Sequence, residues 1–178
     1  MKAIVHDRYG SADVLELREV ERPVPDPWQV LIRVRAAGVN MADWHLMAGK
    51  PTIMRLFGLG FRGPKMRTRG TDVAGVVEEV GSAVTGFAVG DEVFGSAEGT
   101  FAEFAVASEK RLLPKPQNVT FEQASSASMG GYTALQALRA GGVTLDGLAG
   151  QRILVIGAAG GVGSMTVQLA KHFGATVT

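Results

Sequence analysis

The stretch that closes the chain, ILVIGAAGGVGSMTVQLAKHFGATVT from Ile153 to Thr178, constrains the fold more than any other. A short apolar run comes first, as in a buried strand of a parallel sheet, and a glycine-rich turn follows it. The next residues have helical spacing, and one face would carry Val162, Thr166, Leu169, Ala170 and Phe173. ATVT then begins a second strand. The order predicts the first strand–helix–strand step of an α/β domain.

The glycine turn itself indicates a ligand. A sharp strand-to-helix turn favours glycine, a close approach to a pyrophosphate excludes a Cβ, and free amides at a helix start attract phosphate. The strict dinucleotide spacing is G-x-G-x-x-G, and here Ala159 occupies its middle glycine position. A tight structural turn without a ligand therefore stays open as an alternative. The predicted cofactor-binding residues are Gly157, Gly160, Gly161, Val162 and Gly163.

The first 115 or so residues have a different character, because they consist of short alternating segments separated by glycine and proline. In QVLIRVRAAGVN, for example, Val30, Ile32, Val34 and Ala36 would lie on one face. Many short strands at close spacing predict an antiparallel barrel or sandwich. The further strand candidates are KAIVHD, VLELREVERPVPDP, DVAGVVEEVG, VGDEVFGS and TFAEFAVAS.

The pattern changes after Pro114-Lys115-Pro116, where a helical segment begins. Thr120 with Gln123 three residues later predicts a capping box. Gly130-Gly131 is expected to interrupt the helix, and Gly141-Gly142 to end its second half. We therefore divide the chain into a β domain over 1–119 and, over 120–178, connecting helices and the first strand–helix unit of an incomplete nucleotide-binding domain.

A basic stretch, KPTIMRLFGLGFRGPKMRTRG from Lys50 to Gly70, contains six cations and no acid. Three interpretations stay open. It could be a solvated, mobile loop, a lid that draws in an anionic ligand, or a single-strand nucleic-acid site using Phe57 and Phe61. The net charge of +1 gives no global attraction to nucleic acid or membrane, and we expect neither as a partner.

The chain contains no cysteine, which excludes disulfides and thiolate zinc sites and is compatible with a cytoplasmic protein. The start, MKAIVHDRYG, does not resemble a secretory signal. Ile153 to Ala170 is uncharged, but much of it is Gly, Ala, Ser, Thr and Gln, so we do not expect a membrane span.

Seven segments occur in one order: GVNMADW, RGTDVAGVVEEVG, VGDEVFG, GTFAEFA, LLPKPQNVTFEQA, GYTALQAL and GAAGGVGSMTVQLAK. In this order the chain closely resembles the N-terminal part of the medium-chain dehydrogenase/reductase superfamily. Within the superfamily, the chain most resembles the zinc-independent branch. The members of that branch are similar to quinone oxidoreductases and to NAD(P)-dependent alcohol dehydrogenases. The resemblance implies a β-barrel-like GroES-like substrate domain followed by the start of an α/β Rossmann domain. It also implies that the cofactor is NADP(H), with NAD(H) as the alternative.

Zinc-dependent relatives hold their metal with Cys, His-Glu and a third ligand. The matching positions here are Asn40, Thr71-Asp72 and Met129, and the four-cysteine loop of a structural zinc is absent. Zinc prefers thiolate, imidazole and carboxylate, so we expect no zinc. The three histidines are expected to be ordinary surface or packing residues: His6, His45 and His172.

The resemblance assigns catalytic positions to Asn40, near the substrate and nicotinamide, and Thr133, near the nicotinamide and also cofactor-binding. Trp44, His45 and Tyr132 are weaker candidates for the substrate pocket. Without zinc, a conjugated enone or quinone is the expected hydride acceptor, since hydrogen bonds can stabilise the charge on its oxygen. Asp43 and Asp72 are interpreted as structural.

Two other functions stay open: a non-catalytic fragment or interaction module, and an alcohol dehydrogenase-type enzyme without zinc. The expected partner is a small-molecule quinone or enone, and a homodimer is kept as an alternative to a monomer. We expect the 178 residues alone to be inactive, because one strand–helix unit cannot bury its own apolar faces.

Overall fold

The computed structural model describes residues 1–56, 60–142 and 147–178. The chain divides into two compact units, Met1–Ser126 and Ala127–Thr178. No helix among the described residues is both long and apolar enough to cross a membrane.

The first unit is built on antiparallel sheets, as the alternating segments predict. A hairpin pairs β1 with β2, and a five-stranded sheet has the order β6-β3-β4-β5-β7. The strands are β1 (Lys2–Val5), β2 (Glu16–Glu19), β3 (Gln29–Gly38), β4 (Asp72–Val80), β5 (Glu92–Ser96), β6 (Phe104–Ser108) and β7 (Leu112–Pro114). Isolated bridges tie the hairpin to the segments around Thr68 and Ala102. Among the described residues the sheet is open rather than a continuously hydrogen-bonded barrel, and an isolated Glu98–Val106 bridge joins the segment after β5 to β6.

The core of this unit lies on one face of the five-stranded sheet. Val30 and Ile32 of β3 are fully buried there, and Val34 packs against the same cluster, as the alternation predicts. Leu31, on the opposite face, is fully buried too, so the central strand is covered on both sides at this point. The remaining members are contributed by the neighbouring strands and by the residue after β5: Val73, Val77, Val93, Ala97, Ala105, Ala107 and Leu112.

Two helices belong wholly or partly to this unit: α1 (Met41–Ala48) and α2 (Phe121–Ala140). The predicted capping box of α2 is confirmed, because Thr120 N donates to Gln123 Oε1 at 2.9 Å and Gln123 N donates to Thr120 Oγ1 at 3.2 Å. The helix ends before Gly141-Gly142, also as predicted.

The predicted interruption at Gly130-Gly131 is wrong, because α2 runs through both glycines. A Cβ on Gly130 would lie 3.3 Å from the carbonyl oxygen of Gly161. Gly130 therefore allows α2 to approach the backbone that follows the glycine turn, and a packing requirement explains a glycine that the sequence pattern assigned to a break.

The second unit adds β8 (Arg152–Ile153), α3 (Gly161–His172) and β9 (Thr176–Val177). β8 and β9 are parallel, which confirms the predicted strand–helix–strand step. Leu148 and Ala170 form its small core with Leu138 of α2, and Leu169 and Phe173 of the predicted helix face pack against them. Leu154 and Ile156, which follow β8, are 70% and 90% exposed, as expected for one strand–helix unit that cannot bury its own apolar faces, because β9 is the only described strand beside β8.

Candidate functional site

Asn40 occupies the N-cap of α1, at the end of the loop that follows β3. The backbone N–H of Asn40 donates to Asp43 Oδ2 at 2.9 Å, and Asp43 N donates to the Asn40 carbonyl oxygen at 3.0 Å. This reciprocal pair fixes the first turn of the helix. The sequence signal for it is an Asn followed three residues later by an acid.

The Asn40 side chain is held by a second carboxylate. Its Nδ2 donates to Asp72 Oδ2 at 3.0 Å, and Asp72, the first residue of β4, is 1% exposed. A carboxylate only accepts, so the contact fixes which end of the amide carries nitrogen. One N–H of that nitrogen is used by Asp72, and the amide has a second N–H to offer.

Asp43 and Thr71 extend this network. Thr71 Oγ1 lies 3.4 Å from Asp43 Oδ1, and Asp43 is 4% exposed. Burial raises the pKa of the Asp43 carboxyl, and its hydrogen bonds from Asn40 and Thr71 oppose that rise. The interpretation of both aspartates as structural is compatible with these contacts, since each orients Asn40.

The residues at the zinc-ligand positions of the relatives do not suit zinc. Asn40 and Thr71 offer an amide and a hydroxyl, the Asp72 carboxylate binds Asn40, and Met129, a thioether, lies inside α2. In the ranges 1–56, 60–142 and 147–178, His, Cys, Asp and Glu side chains do not gather into a group of three that could hold a metal. A zinc-free site remains a prediction that rests on the chemistry of these side chains.

Trp44 and His45, the weaker pocket candidates of the first unit, lie on α1 after Asn40. Trp44 is 41% exposed, and its ring meets that of His45 edge to face with centroids 4.9 Å apart. Lys50 Nζ lies 5.8 Å from the Trp44 ring centroid. Both aromatic side chains are available for contact with a ligand.

The glycine turn of the second unit leads into α3 and leaves its backbone open. Gly157 has φ of 79°, and Gly160, the N-cap of α3, donates its N–H to the Gly157 carbonyl at 3.0 Å. A Cβ on Gly161 would meet no atom within 4 Å, so the backbone is open there. A pocket of about 780 Å³ is lined by this turn and by Ile153, Val162 and Thr166.

Gly163 has a different role. A Cβ at this position would lie 2.1 Å from the Gly157 carbonyl oxygen, so only glycine lets α3 start against the turn. The sequence prediction grouped Gly163 with the phosphate-binding glycines, and the structure adds this packing requirement.

Thr133 and Tyr132 lie side by side on α2, and both are exposed. Thr133 Oγ1 donates to the carbonyl oxygen of Met129 at 2.7 Å, one helical turn earlier. Tyr132 is 66% exposed. Thr133 therefore already has an acceptor within the helix, while its hydroxyl oxygen can still accept a hydrogen bond.

The basic stretch is only partly a solvated loop. Arg55 donates to the carbonyl oxygens of Gly49 and Ala48 and stacks on Tyr9, and Arg69 is 5% exposed and donates to His6. Phe57, invoked for nucleic-acid binding, lies outside the described residues. The run of cations predicts an exposed basic stretch, and no local pattern predicts that Arg69 and His6 are buried together.

Residues 26–117 match the model of the alcohol dehydrogenase GroES-like domain. The chain belongs to this family. It is a member of the medium-chain dehydrogenase/reductase superfamily, in the quinone oxidoreductase-like branch that the motifs predict. The fold assignment, a GroES-like domain and the start of an α/β domain, is confirmed with it.

Three similar proteins illustrate the match. A tomato 2-methylene-furan-3-one reductase is 40% identical over 192 residues, covering 99% of this chain and 46% of that protein. The quinone oxidoreductase structure from Coxiella burnetii has a TM-score of 0.86 at 35% identity, covering 99% of this chain and 55% of that one. The Escherichia coli quinone oxidoreductase complexed with NADPH has a TM-score of 0.81 at 27% identity, covering 99% and 51%. This GroES-like chain spans about half the length of the curated relatives it matches.

Proposed function

We propose that the protein containing this chain is a zinc-independent, NADPH-dependent oxidoreductase that transfers hydride to a quinone or a conjugated enone. The observation that carries the proposal is the glycine turn, whose backbone is open at Gly161 at the start of α3. The relatives named quinone oxidoreductase and furanone reductase support the choice of hydride acceptor.

The residues of the turn fit the pyrophosphate of a dinucleotide. The amides at the start of α3 lie within the positive end of the helix dipole, and no Cβ stands between them and a ligand at Gly160 and Gly161. Gly157, Gly160, Gly161, Val162 and Gly163 would hold the phosphates. When bound, the nicotinamide supplies the hydride. A similar protein that is complexed with NADPH supports NADP(H), with NAD(H) as the alternative.

Asn40 is proposed to stabilise the charge that develops on the substrate oxygen. Asp72 holds the amide nitrogen in place, so the second N–H can donate to that oxygen without reorganising. One such donor is worth about 2.7–4 kcal/mol in the transition state. Thr133 is proposed to contact the nicotinamide, and Trp44, His45 and Tyr132 to contact the substrate.

We propose that neither a catalytic nor a structural zinc takes part. Asn40, Thr71 and Met129 supply no strong zinc ligand, and the chain has no cysteine. Elemental analysis of chelator-free protein should find no stoichiometric zinc. One zinc per chain would contradict this part of the proposal.

The 178 residues alone are proposed not to turn over substrate. Leu154 and Ile156 of the second unit are exposed, so little packing supports the glycine turn that is proposed to bind the cofactor. NADPH should bind the isolated chain weakly, and micromolar binding with measurable quinone reduction would contradict this expectation.

The test is a turnover assay on the gene product that contains these residues. NADPH oxidation should accompany reduction of a quinone and an enone, and NADH in place of NADPH tests the alternative cofactor. Alcohol oxidation without enone reduction would instead indicate a zinc-free alcohol dehydrogenase. If no substrate is turned over at all, the result would indicate an interaction module.

Two substitutions locate the activity. Gly161→Val should raise the Kd for NADPH about ten-fold or more, because its side chain fills the space that the phosphates need. Asn40→Ala should lower kcat about 10²–10³-fold with little change in the Kd for NADPH. Asn40→Leu is the matched variant, since it keeps the approximate size of the side chain, removes the donor and adds no charge beside the buried Asp72 carboxylate. Unchanged NADPH affinity in Gly161→Val would show the turn assignment to be wrong.

A further inference from the structure

A buried arginine in the first unit is not used by the proposed chemistry. Arg69 lies just before Thr71 and Asp72 and is 5% exposed. Its Nε donates to Nε2 of His6, which is fully buried. His6 Nδ1 lies 3.0 Å from the carbonyl oxygen of Arg8 and must carry the proton there, since a carbonyl only accepts. His6 is therefore a neutral imidazole, and this hydrogen bond brings no negative charge to Arg69.

In the described part of the chain Arg69 makes no direct ion pair, and the buried Asp43 carboxylate attracts its guanidinium only at longer range. Burial lowers the pKa of its guanidinium, which is the signature of a charge that has lost water. Buried charges in proteins are paired with an opposite charge. The two terminal nitrogens of the guanidinium have no hydrogen-bond acceptor among the described residues, although the group can donate five N–H bonds.

Arg69 lines a cavity of about 250 Å³ in the first unit. Lys65 and Arg111 also line it, and Thr68, Gly70 and Ser96 contribute uncharged polar groups. The cavity is large enough for a group of several heavy atoms, because one water molecule takes about 30 Å³.

Two acids line the same cavity, and neither forms a direct ion pair with Arg69, although Asp43 attracts it at longer range. Asp43 directs its two oxygens to Asn40 N and Thr71 Oγ1, and Glu98 is exposed. Three cations against two acids leave a local excess of positive charge beside a guanidinium fork. A fork of parallel N–H groups matches a carboxylate.

We propose that this cavity binds the carboxylate of a small acidic ligand through Arg69, with Lys65 and Arg111 adding attraction. The cavity adjoins Asn40, since Asp43 and Thr71 line it and belong to the network that holds Asn40. The second part of the proposal rests on the proposed function: during the reaction, the cavity holds an acidic group of the quinone or enone substrate.

The cavity itself is tested by titration of the protein with acetate, and in a second arm with inorganic phosphate, followed by ¹⁵N NMR. Acetate should saturate and shift the amide resonances of Thr68, Gly70 and Ser96. In Arg69→Met, the affinity for acetate should fall about ten-fold or more, as expected for the loss of a hydrogen bond to a charged group. The matched control is Arg67→Met, two residues away, which removes an exposed arginine and should leave the affinity unchanged.

Three results would overturn the proposal: no saturation by acetate, equal affinity in Arg69→Met, or saturation by phosphate alone. If Arg69→Met does not fold, the proposal is judged from the resonances that acetate shifts in the unmodified protein. Shifts confined to residues outside the lining of the cavity would contradict the site.

The substrate role is tested by comparing an enone that bears a carboxylate with its methyl ester. The acid should have a kcat/KM about ten-fold higher, and Arg69→Met should remove that preference while the ester is still reduced. Equal kcat/KM values for both compounds would overturn the subsite. If neither compound is turned over, the result contradicts the proposed function. The acetate titration then still shows whether the cavity binds a carboxylate.

Discussion

The two units of the chain differ in how they bury apolar residues. In the described part of Met1–Ser126, nine residues form a single buried cluster on a five-stranded sheet, whereas Ala127–Thr178 has three around α3. The apolar strands of the first unit are covered by their own neighbours. In the second unit, Leu154 and Ile156 remain exposed beside a two-stranded sheet.

This difference separates the unit that is expected to provide most of the stability from the unit that contains the proposed cofactor site. Hydrophobic stabilisation scales with the apolar area removed from water, so the first unit is expected to carry most of it. The second unit contains the glycine turn that is proposed to bind the cofactor, but it has little core of its own. Four pairs of substitutions, two between the units and two within one unit, follow in order of expected effect.

The largest effect compares the same substitution in the two units. Ile32→Ala removes a fully buried side chain of β3 and should lower the free energy of unfolding by about 2–5 kcal/mol. Ile156→Ala removes a side chain that is 90% exposed and should change it by about 0.5 kcal/mol or less. Chemical denaturation of both variants measures the difference, and equal destabilisation would break the comparison.

The second pair separates packing from ligand binding within the glycine turn. Gly163→Ala forces a Cβ against the Gly157 carbonyl oxygen and should destabilise the second unit by about 1–3 kcal/mol. Gly161→Ala meets no atom within 4 Å and should be neutral or stabilise by up to about 1 kcal/mol. Thermal unfolding followed by a probe in the second unit distinguishes them. A neutral Gly163→Ala would refute the packing role.

The third pair addresses the start of α2. Thr120→Ala removes the hydroxyl that accepts from Gln123 N, and should cost about 0.5–2 kcal/mol. Ser126→Ala is the control on the same helix, where the hydroxyl only donates back to the Gln123 carbonyl, and a change within about 0.5 kcal/mol is expected. Unfolding by urea compares the two. A Thr120→Ala variant as stable as the parent would argue against the capping box.

The smallest effect depends on pH. Burial lowers the pKa of His6 below its unfolded value, so the unfolded state binds the proton more readily. The free energy of unfolding therefore keeps its full value above the pKa that His6 has in the unfolded state. It decreases as the pH falls from that pKa toward the lower pKa of the folded state. The slope is at most about 1.4 kcal/mol per pH unit. His6→Gln should flatten the dependence of the unfolding free energy between about pH 7 and pH 5.

The control for this slope is His172→Gln, which replaces an exposed histidine of the second unit. It should leave the pH dependence of the parent intact. If His172→Gln flattens the curve and His6→Gln does not, the assignment of the slope to the buried imidazole is wrong.

Much of this fold is predictable because local rules decide it. The alternation around Val30 and Ile32 predicts a sheet face, and Thr120 with Gln123 predicts the helix start, since each signal lies within a few residues. The glycine turn is equally local. These elements agree with the fold because propensity and packing favour the same structure.

The failures concern contacts between distant residues. Gly130 faces Gly161, and His6 meets Arg69, pairs whose sequence separation hides them from any local pattern. Leu154 and Ile156, by contrast, are exposed as expected of a single strand–helix unit, because only neighbouring strands would cover such an apolar run. For the candidate site, the motifs predict Asn40 and the glycines, and the Asp72 contact that holds the Asn40 amide required coordinates.

The most direct test of the account is hydrogen–deuterium exchange of the gene product that contains these residues, with and without NADPH. The account predicts that NADPH slows exchange in residues 157–164, at the glycine turn and the start of α3. The amides of β3 and β4 should already be protected and should not change. Protection that appears only in the first unit, or none at saturating NADPH, would contradict the assignment of cofactor binding to the second unit.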